Sequence, residues 1–135
     1  MTKTYVNKLS KEIIGAAIEV HKELGPGLLE SVYEKCLIYV LKEKGYYVET
    51  QIQVPISFRG IRLDADLRLD ILINNTIIVE LKTVDNILPV HEAQLLTYLK
   101  LLQKPKGILI NFKCANIFSS GQRTFLTEHY KLLPD

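Results

Sequence analysis

The order of patterns along this chain predicts an α/β domain in which helices flank one mixed sheet. Two helical patterns come first, several stretches of alternating apolar and polar residues follow, and a further helix separates the last two buried strands. Strands joined by short turns pair antiparallel, whereas strands joined through a helix pair in parallel. The length of 135 residues and the 47% hydrophobic content suit one domain, residues 1–135, with one sizeable core.

Two helices are predicted in the first third of the chain. Apolar residues recur in steps of three and four over residues 8–24, which places them on one helical face. The Gly-Pro-Gly sequence at residues 25–27 ends this helix. A second helical pattern covers residues 28–44, and Gly45 is its natural C-terminal stop.

Period-two alternation then predicts strands. Residues 47–54 alternate between apolar and polar, and Pro55 indicates that this strand lies near a sheet edge. Residues 56–63 are interrupted in the middle by Arg59 and Gly60, which predicts a tight hairpin.

Two strands in the middle of the chain follow this hairpin. Residues 67–73 alternate, Asn74 and Asn75 supply a turn, and the β-branched run at residues 76–82 predicts a central strand that ends in charged residues.

One more helix and strand complete the sheet. Pro89 opens a helix that continues to about Leu102, and residues 106–112 form a short buried strand. The remaining residues give weak signals for one further strand and a frayed tail.

The composition limits the possible function classes. With 17 basic and 15 acidic residues the formal charge is +2, so any contact with nucleic acid must be local. Cys36 and Cys114 lie far apart and outside any Cys-x-x-Cys pair, which predicts buried free thiols rather than a zinc or iron–sulfur site. Because no signal peptide or membrane span is apparent, we expect a cytoplasmic protein without a membrane partner.

Three charged residues on the two central strands predict a catalytic site. Glu80 and Lys82 share one face of their strand, and the turn midway between Asp70 and Glu80 makes these two carboxylates neighbours across the strand pair. Neighbouring carboxylates repel each other unless a cation neutralises them, and their hard oxygen atoms favour Mg²⁺ or Mn²⁺. Such an ion polarises a phosphoryl oxygen while Lys82 orients a water, which is the chemistry of phosphodiester hydrolysis.

A surface or structural ion pair is the alternative explanation, because an acidic residue followed by Glu-x-Lys on a strand is common. Other charged residues offer equally good pairs: Glu49, Asp64, Asp66 and Arg68.

Polar residues of two helices add to the pattern. Glu30 lies in the first turn of the second helix, where the helix dipole favours a negative charge, and Glu34 follows one turn later. In the third helix Gln94 and Tyr98 are one turn apart, so their polar groups can point together at the end of the sheet. His91 lies one turn before Gln94 and either faces the site or caps the helix.

The combination resembles a known superfamily. The segment GLLESVY matches the GxxExxY signature, and the series Asp, Glu-x-Lys and Gln-x-x-x-Tyr resembles the PD-(D/E)XK nucleases from about Ile13 to Phe112. The resemblance implies a restriction-endonuclease-like fold with a mixed central sheet flanked by helices. It also implies a nuclease that uses Mg²⁺, with Mn²⁺ as a substitute, and that acts on nucleic acid, with DNA as the expected substrate.

The same resemblance assigns roles to individual residues. The metal ligands that it implies are three carboxylates and one main-chain carbonyl: Glu30, Asp70, Glu80 and Leu81. The catalytic set that it implies comprises the strand residues and the helix motif of the RecB-like branch: Asp70, Glu80, Lys82, Gln94 and Tyr98. One departure is Leu69, which is larger than the residue usual before the aspartate.

Two other functions fit the same residues. The chain can be a catalytically inactive nuclease-fold module that binds nucleic acid or a partner protein, or a small accessory subunit of a larger enzyme. A homodimer is one way for a domain of this size to cover a free sheet edge. Phosphate contacts are expected from lysines around the last helix and from Arg59, Arg62 and Arg68 near the hairpin.

Overall fold

The computed structural model describes residues 1–63 and 67–135, and in this part of the chain a five-stranded mixed sheet is flanked by helices, as the sequence predicts. Asp64 and Asp66, two of the alternative ion-pair residues, lie outside the described residues. The helices are α1 (Lys3–Leu24), α2 (Glu30–Glu43), α3 (Pro89–Leu102) and α4 (Glu128–Lys131), and a π-helical turn covers Ile117–Gly121. The strands are β1 (Val48–Gln53), β2 (Ile56–Phe58), β3 (Ile61–Leu63), β4 (Arg68–Ile73), β5 (Ile77–Lys82), β6 (Lys106–Asn111) and β7 (Gln122–Leu126).

The bounds of the first two helices differ from those predicted. Helix α1 begins at Lys3 rather than Lys8, because the Thr2 hydroxyl caps it by accepting a hydrogen bond from the Tyr5 N–H. Helix α2 begins at Glu30 rather than at Leu28. Helix α3 has the bounds that the sequence predicts.

The strand order in the main sheet is β1-β4-β5-β6-β7. Strands β5 and β6 pair in parallel and are joined through α3, while the other neighbours pair antiparallel. Strand β1 lies at an edge, as Pro55 indicates, and β5 lies in the middle. Strands β2 and β3 form the predicted hairpin, in which Arg59 and Gly60 both have positive φ.

Buried apolar residues form one cluster on each face of the main sheet. The larger one, here called the α1/α2 cluster, joins α1 and α2 to the sheet and includes Ile71, Val79 and Leu81. The smaller one, here called the α3 cluster, joins α3 to the opposite face and includes Leu72, Ile78 and Tyr98. Apolar contact on both faces makes β4 and β5 the rigid centre of the fold.

The prediction of a frayed tail is wrong. The Lys3 N–H donates to the Pro134 carbonyl at 2.8 Å, and the Tyr130 hydroxyl donates to Asn7 Oδ1 at 3.0 Å. Tyr130 and Leu133 also pack against the α1/α2 cluster. These few apolar side chains hold the tail against α1, although they give no periodic signal in the sequence.

Two further expectations concern the cysteines and the membrane. Cys36 and Cys114 are free thiols, as expected, but they are half-buried rather than buried, so the prediction of full burial is wrong. Among the described residues, no helix combines the length and the apolar character needed to cross a membrane.

Candidate active site

The turn between β4 and β5 brings Asp70 and Glu80 together. Asn74 and Asn75 both have positive φ, near 50°, a conformation that asparagine tolerates in tight turns. The antiparallel register places Ile71 opposite Val79 and Ile73 opposite Ile77. Asp70 and Glu80 are the next residues along the same two strands.

Two hydrogen bonds fix the relative position of these residues. The Asp70 N–H donates to Glu80 Oε1 at 3.2 Å, and the Leu81 N–H donates to Asp70 Oδ2 at 3.0 Å. The Lys82 carbonyl accepts from the Phe112 N–H on the β6 side. Because successive carbonyls of a strand point to opposite neighbours, the Leu81 carbonyl points to the β4 side, where Asp70 lies.

The regular alternation of side chains between the two faces of β4 is interrupted at Asp70. Residues two apart on a strand normally share a face, yet Leu69 packs in the α3 cluster and Ile71 in the α1/α2 cluster. The reversal coincides with Gln51, which has φ of 52° and follows Thr50, the partner of Ile71. The Asp70 side chain consequently reaches along the sheet to the β5 main chain.

Glu80 is a buried carboxyl group with a strongly raised pKa. It is 5% exposed, and burial raises its pKa from 4.5 to about 9, with a further contribution from the neighbouring Asp70 and an opposing one from Lys82. The favourable charge of Lys82 therefore does not offset the combined effect of burial and of the Asp70 charge on Glu80. Closely spaced oxygen donors in this situation fit a hard divalent cation such as Mg²⁺ or Mn²⁺.

Helix α2 presents Glu30 and Glu34 to the same end of the sheet. Burial raises the pKa of the Glu30 carboxyl, the charge of Asp70 adds to the rise, and Lys82 opposes it. Burial also raises the pKa of the Glu34 carboxyl, although its hydrogen bond with Gln51 opposes the rise. Both carboxylates thus lie within electrostatic range of Asp70.

Glu30 does not close a complete metal centre with the two strand carboxylates. Within residues 1–63 and 67–135, no group of three or more His, Cys, Asp or Glu side chains is arranged to hold a metal ion. The arrangement is a contacting pair, Asp70 and Glu80, with Glu30 nearby on a separate element. Ligation by all three requires a movement of the Glu30 side chain.

The GLLESVY segment fixes where α2 begins. Gly27 has φ of +108°, which favours glycine. The Tyr33 hydroxyl donates to the Gly25 carbonyl and accepts from the Leu28 N–H. The Tyr33 ring is fully buried and stacks on Phe112, with 4.4 Å between the ring centroids. Tyr33 thereby ties the glycine turn to the core, one helical turn from Glu30.

The predicted pair on α3 lies on the Glu80 side of the sheet. Gln94 Nε2 donates to the Tyr98 hydroxyl at 2.9 Å. Tyr98 is 3% exposed, and burial raises its pKa, with a further contribution from the charge of Glu80. His91 caps the helix, because its Nδ1 accepts from the Leu88 N–H at 3.0 Å. Of its two alternatives, the capping role is the one observed.

Two residues at the site were not anticipated. Gln51 Nε2 donates to Glu34 Oε1 at 3.2 Å and so links β1 to α2. Asn111 pairs with Lys82 in the parallel register, accepts from the Val84 N–H and donates to the Val84 carbonyl, which holds the segment that follows Lys82. A polar residue at the end of a buried strand is the signal that could have identified Asn111, whereas Gln51 gives none.

A groove of about 700 Å³ between α1 and α2 is separate from this site. Its lining includes Cys36 and Tyr39 and, in the described part of the chain, none of the predicted site residues. Lys44 and Glu19 on its rim pair with each other at 3.6 Å. The candidate site therefore lies at an end of the sheet, outside this groove.

Comparison with known proteins gives one family match. The sequence model of a family described as the PD-(D/E)XK nuclease superfamily matches residues 7–124. This range contains most of α1 and all of α2, α3 and β1 to β6, and with them the carboxylate pair and Lys82. No curated protein and no solved structure matches the chain significantly.

Proposed function

The chain belongs to the PD-(D/E)XK nuclease superfamily, and on this basis we propose that it is a Mg²⁺-dependent nuclease that hydrolyses phosphodiester bonds in DNA, with Mn²⁺ as a substitute ion. The observation that carries the proposal is the contact between Asp70 and Glu80, with Lys82 on the same strand. The glycine turn and Tyr33 further support placing the chain in the GxxExxY group.

The ligands proposed for the ion are Asp70, Glu80 and the carbonyl of Leu81, with Glu30 moving in from α2. All members of this set are oxygen donors, and the charge of Asp70 raises the pKa of both Glu80 and Glu30, a repulsion that a bound cation would relieve. When bound, the cation supplies the charge that neutralises the carboxylates and polarises a phosphoryl oxygen. Glu30 and Asp70 already repel each other electrostatically, which favours a cation between them.

Lys82 is proposed to act on the attacking water and on the phosphate. Its ammonium group has three donors, so it can orient the water and also stabilise the negative charge that develops on the phosphoryl oxygens. Attack by the water oxygen forms one P–O bond and breaks the bond to the leaving oxygen, while the water loses a proton to solvent and the leaving oxygen takes one up. Asn111 positions the segment after Lys82 through its two hydrogen bonds to Val84.

Gln94 and Tyr98 are proposed to position the Glu80 carboxylate and to contact the substrate. The Tyr98 hydroxyl lies within electrostatic range of Glu80 and orients its carboxylate, while the hydrogen bond from Gln94 fixes the hydroxyl. The Gln94 side chain is exposed, so its amide can also contact a phosphate oxygen.

Cleavage of labelled DNA in Mg²⁺, in Mn²⁺ and in a chelator tests the proposal. We expect products with either ion and none with the chelator. The Asp70→Ala and Lys82→Ala variants should lose roughly 100-fold or more of the cleavage rate, the usual scale for removing one preorganised group. Circular dichroism should show that both variants keep the fold.

The matched control is Glu19→Gln, which removes an exposed acidic charge on α1 that pairs with Lys44. This variant should cleave at the wild-type rate. Undiminished cleavage by Asp70→Ala would rule out the site. Binding without products would favour the inactive binding module, and faster cleavage of matched RNA would overturn the choice of DNA.

A further inference from the structure

The β2–β3 hairpin carries an apolar strip that is open to solvent. The register places Ile56 opposite Leu63 and Phe58 opposite Ile61, and opposed residues of a strand pair share a face. These four side chains are here called the apolar strip. Phe58 is 58% exposed, Ile61 63% and Leu63 45%. Solvent exposure of so many large apolar side chains on one short hairpin indicates a binding surface.

The hairpin projects from the end of the sheet that carries the candidate site. The Val54 N–H donates to the Leu67 carbonyl at 2.7 Å, which continues the β1–β4 pairing beyond Gln53. Val54 is buried in the α3 cluster together with Tyr98, so the root of the hairpin is anchored beside the site. Phe58 follows Gln51 by seven positions, a reach of at most about 25 Å.

The described residues of the hairpin, Ile56 to Leu63, carry two positive charges, and Asp64 and Asp66 follow them in the sequence. The Arg59 guanidinium lies over the Phe58 ring, 5.2 Å from its centroid, and Arg62 lies opposite Ser57 on the other face. Among the described hairpin residues, Ile56 to Leu63, none is acidic. Arg59 and Arg62 are the groups of the hairpin that can contact the phosphates of a polyanion.

The apolar strip narrows the choice of polyanion. Phosphate groups alone are recognised by arginine and need no exposed aromatic ring. Unpaired bases present flat aromatic faces, which stack on aromatic side chains and arginine, whereas a duplex hides these faces inside its stack. Resting on the nuclease function, we propose that the hairpin stacks on unpaired bases of the substrate, which is therefore single-stranded or contains a single-stranded segment.

A fluorescent variant gives the direct test. The chain has no tryptophan, so Phe58→Trp introduces a single indole at the strip, and Tyr39→Trp introduces a matched indole at an exposed position on α2. In the full chain with a chelator present, a short oligothymidylate should quench the indole fluorescence of the first variant and not that of the second. A blunt duplex of the same length should quench neither.

Affinity provides a second readout. Phe58→Ala should weaken binding of a labelled single strand roughly 5- to 150-fold, the loss expected for one stacked base. Binding of the blunt duplex should change less than about twofold. Because Phe58 is exposed, the thermal unfolding midpoint should not change.

Other outcomes separate this proposal from the nuclease proposal. Equal quenching by duplex, or unchanged single-strand affinity in Phe58→Ala, overturns the role of the hairpin and leaves cleavage by Asp70 and Lys82 untouched. Conversely, the predicted quenching without any cleavage supports the hairpin and counts against the nuclease. A dimer that Phe58→Ala converts to a monomer in sedimentation identifies a second copy as the occupant and overturns the proposal.

Discussion

Glu80 is the residue at which stability and the proposed function conflict. Burial beside Asp70 raises its pKa from 4.5 to about 9, so the folded, metal-free protein favours the protonated carboxyl. A group with a raised folded-state pKa contributes stability that is complete below the unfolded pKa and is lost as the pH rises through the folded pKa. Ionisation of Glu80 therefore destabilises the metal-free fold progressively as the pH rises from 4.5 to about 9.

We expect the unfolding midpoint of the metal-free protein to fall as the pH rises from about 5 to 9. Glu80→Gln should remove most of this fall and raise the midpoint by several degrees at the alkaline end, because a neutral amide carries no buried charge. Thermal unfolding in a chelator across this pH range measures both effects. Glu19→Gln serves as the exposed control, and a midpoint that is independent of pH in the wild type would contradict the expectation.

At the residue scale, the sequence predicts those parts of the candidate site whose geometry depends on a single local rule. The Asn74-Asn75 turn and period-two alternation suffice to place Asp70 near Glu80. The same alternation does not predict the sheet face on which Leu69 lies. The neighbouring strand has a positive φ at Gln51, and no local sequence signal indicates this conformation. The roles of Gln51 and Asn111 depend on contacts between distant elements, which periodicity does not reveal.

At the element scale, the start of α2 depends on one hydroxyl group. The Tyr33 hydroxyl bonds to both Gly25 and Leu28, whereas its ring stacks on Phe112. Tyr33→Phe keeps the stacking and removes both hydrogen bonds, so it isolates the anchoring of the glycine turn. The loss should cost about 1–3 kcal/mol of unfolding free energy, because two part-buried hydrogen bonds are lost and each typically contributes about 0.5–1.5 kcal/mol.

Urea unfolding of Tyr33→Phe measures this cost. If the turn also sets the position of Glu30, the variant should cleave DNA more slowly at saturating substrate, with circular dichroism unchanged. Tyr39→Phe on the exposed face of α2 is the matched control and should alter neither quantity. A Tyr33→Phe variant as stable as the wild type would show that the hydroxyl does not anchor the turn.

The sequence predicts the position of a helix or strand well where neighbouring residues determine it. It predicts the position poorly where contacts with distant residues determine it. Pro89 and the hairpin residues Arg59 and Gly60 placed their elements correctly. The C-terminal tail was not predicted, since its attachment to α1 depends on Tyr130 and the Lys3 amide, far apart in sequence.

Across the whole molecule, the near balance of charge constrains how nucleic acid is held. With 17 basic and 15 acidic residues the chain offers no general attraction for a polyanion, and part of its positive charge is engaged in ion pairs such as Lys113 with Asp85. Contacts to the proposed substrate must then come from a few groups near the site end of the sheet. We expect Arg62 on the hairpin to be one of them.

The salt dependence of binding tests this view directly. Each phosphate contact contributes close to one unit to the slope of log affinity against log salt, so the wild type should show a slope of only a few units. Arg62→Ala should lower the magnitude of this slope by about one and weaken binding of all sequences alike. Lys22→Ala, which removes a charge beside the groove between α1 and α2, should leave the slope unchanged. Titrations of a labelled strand at several salt concentrations measure all three slopes, and a steep slope that Arg62→Ala does not reduce would show that the hairpin arginine makes no phosphate contact.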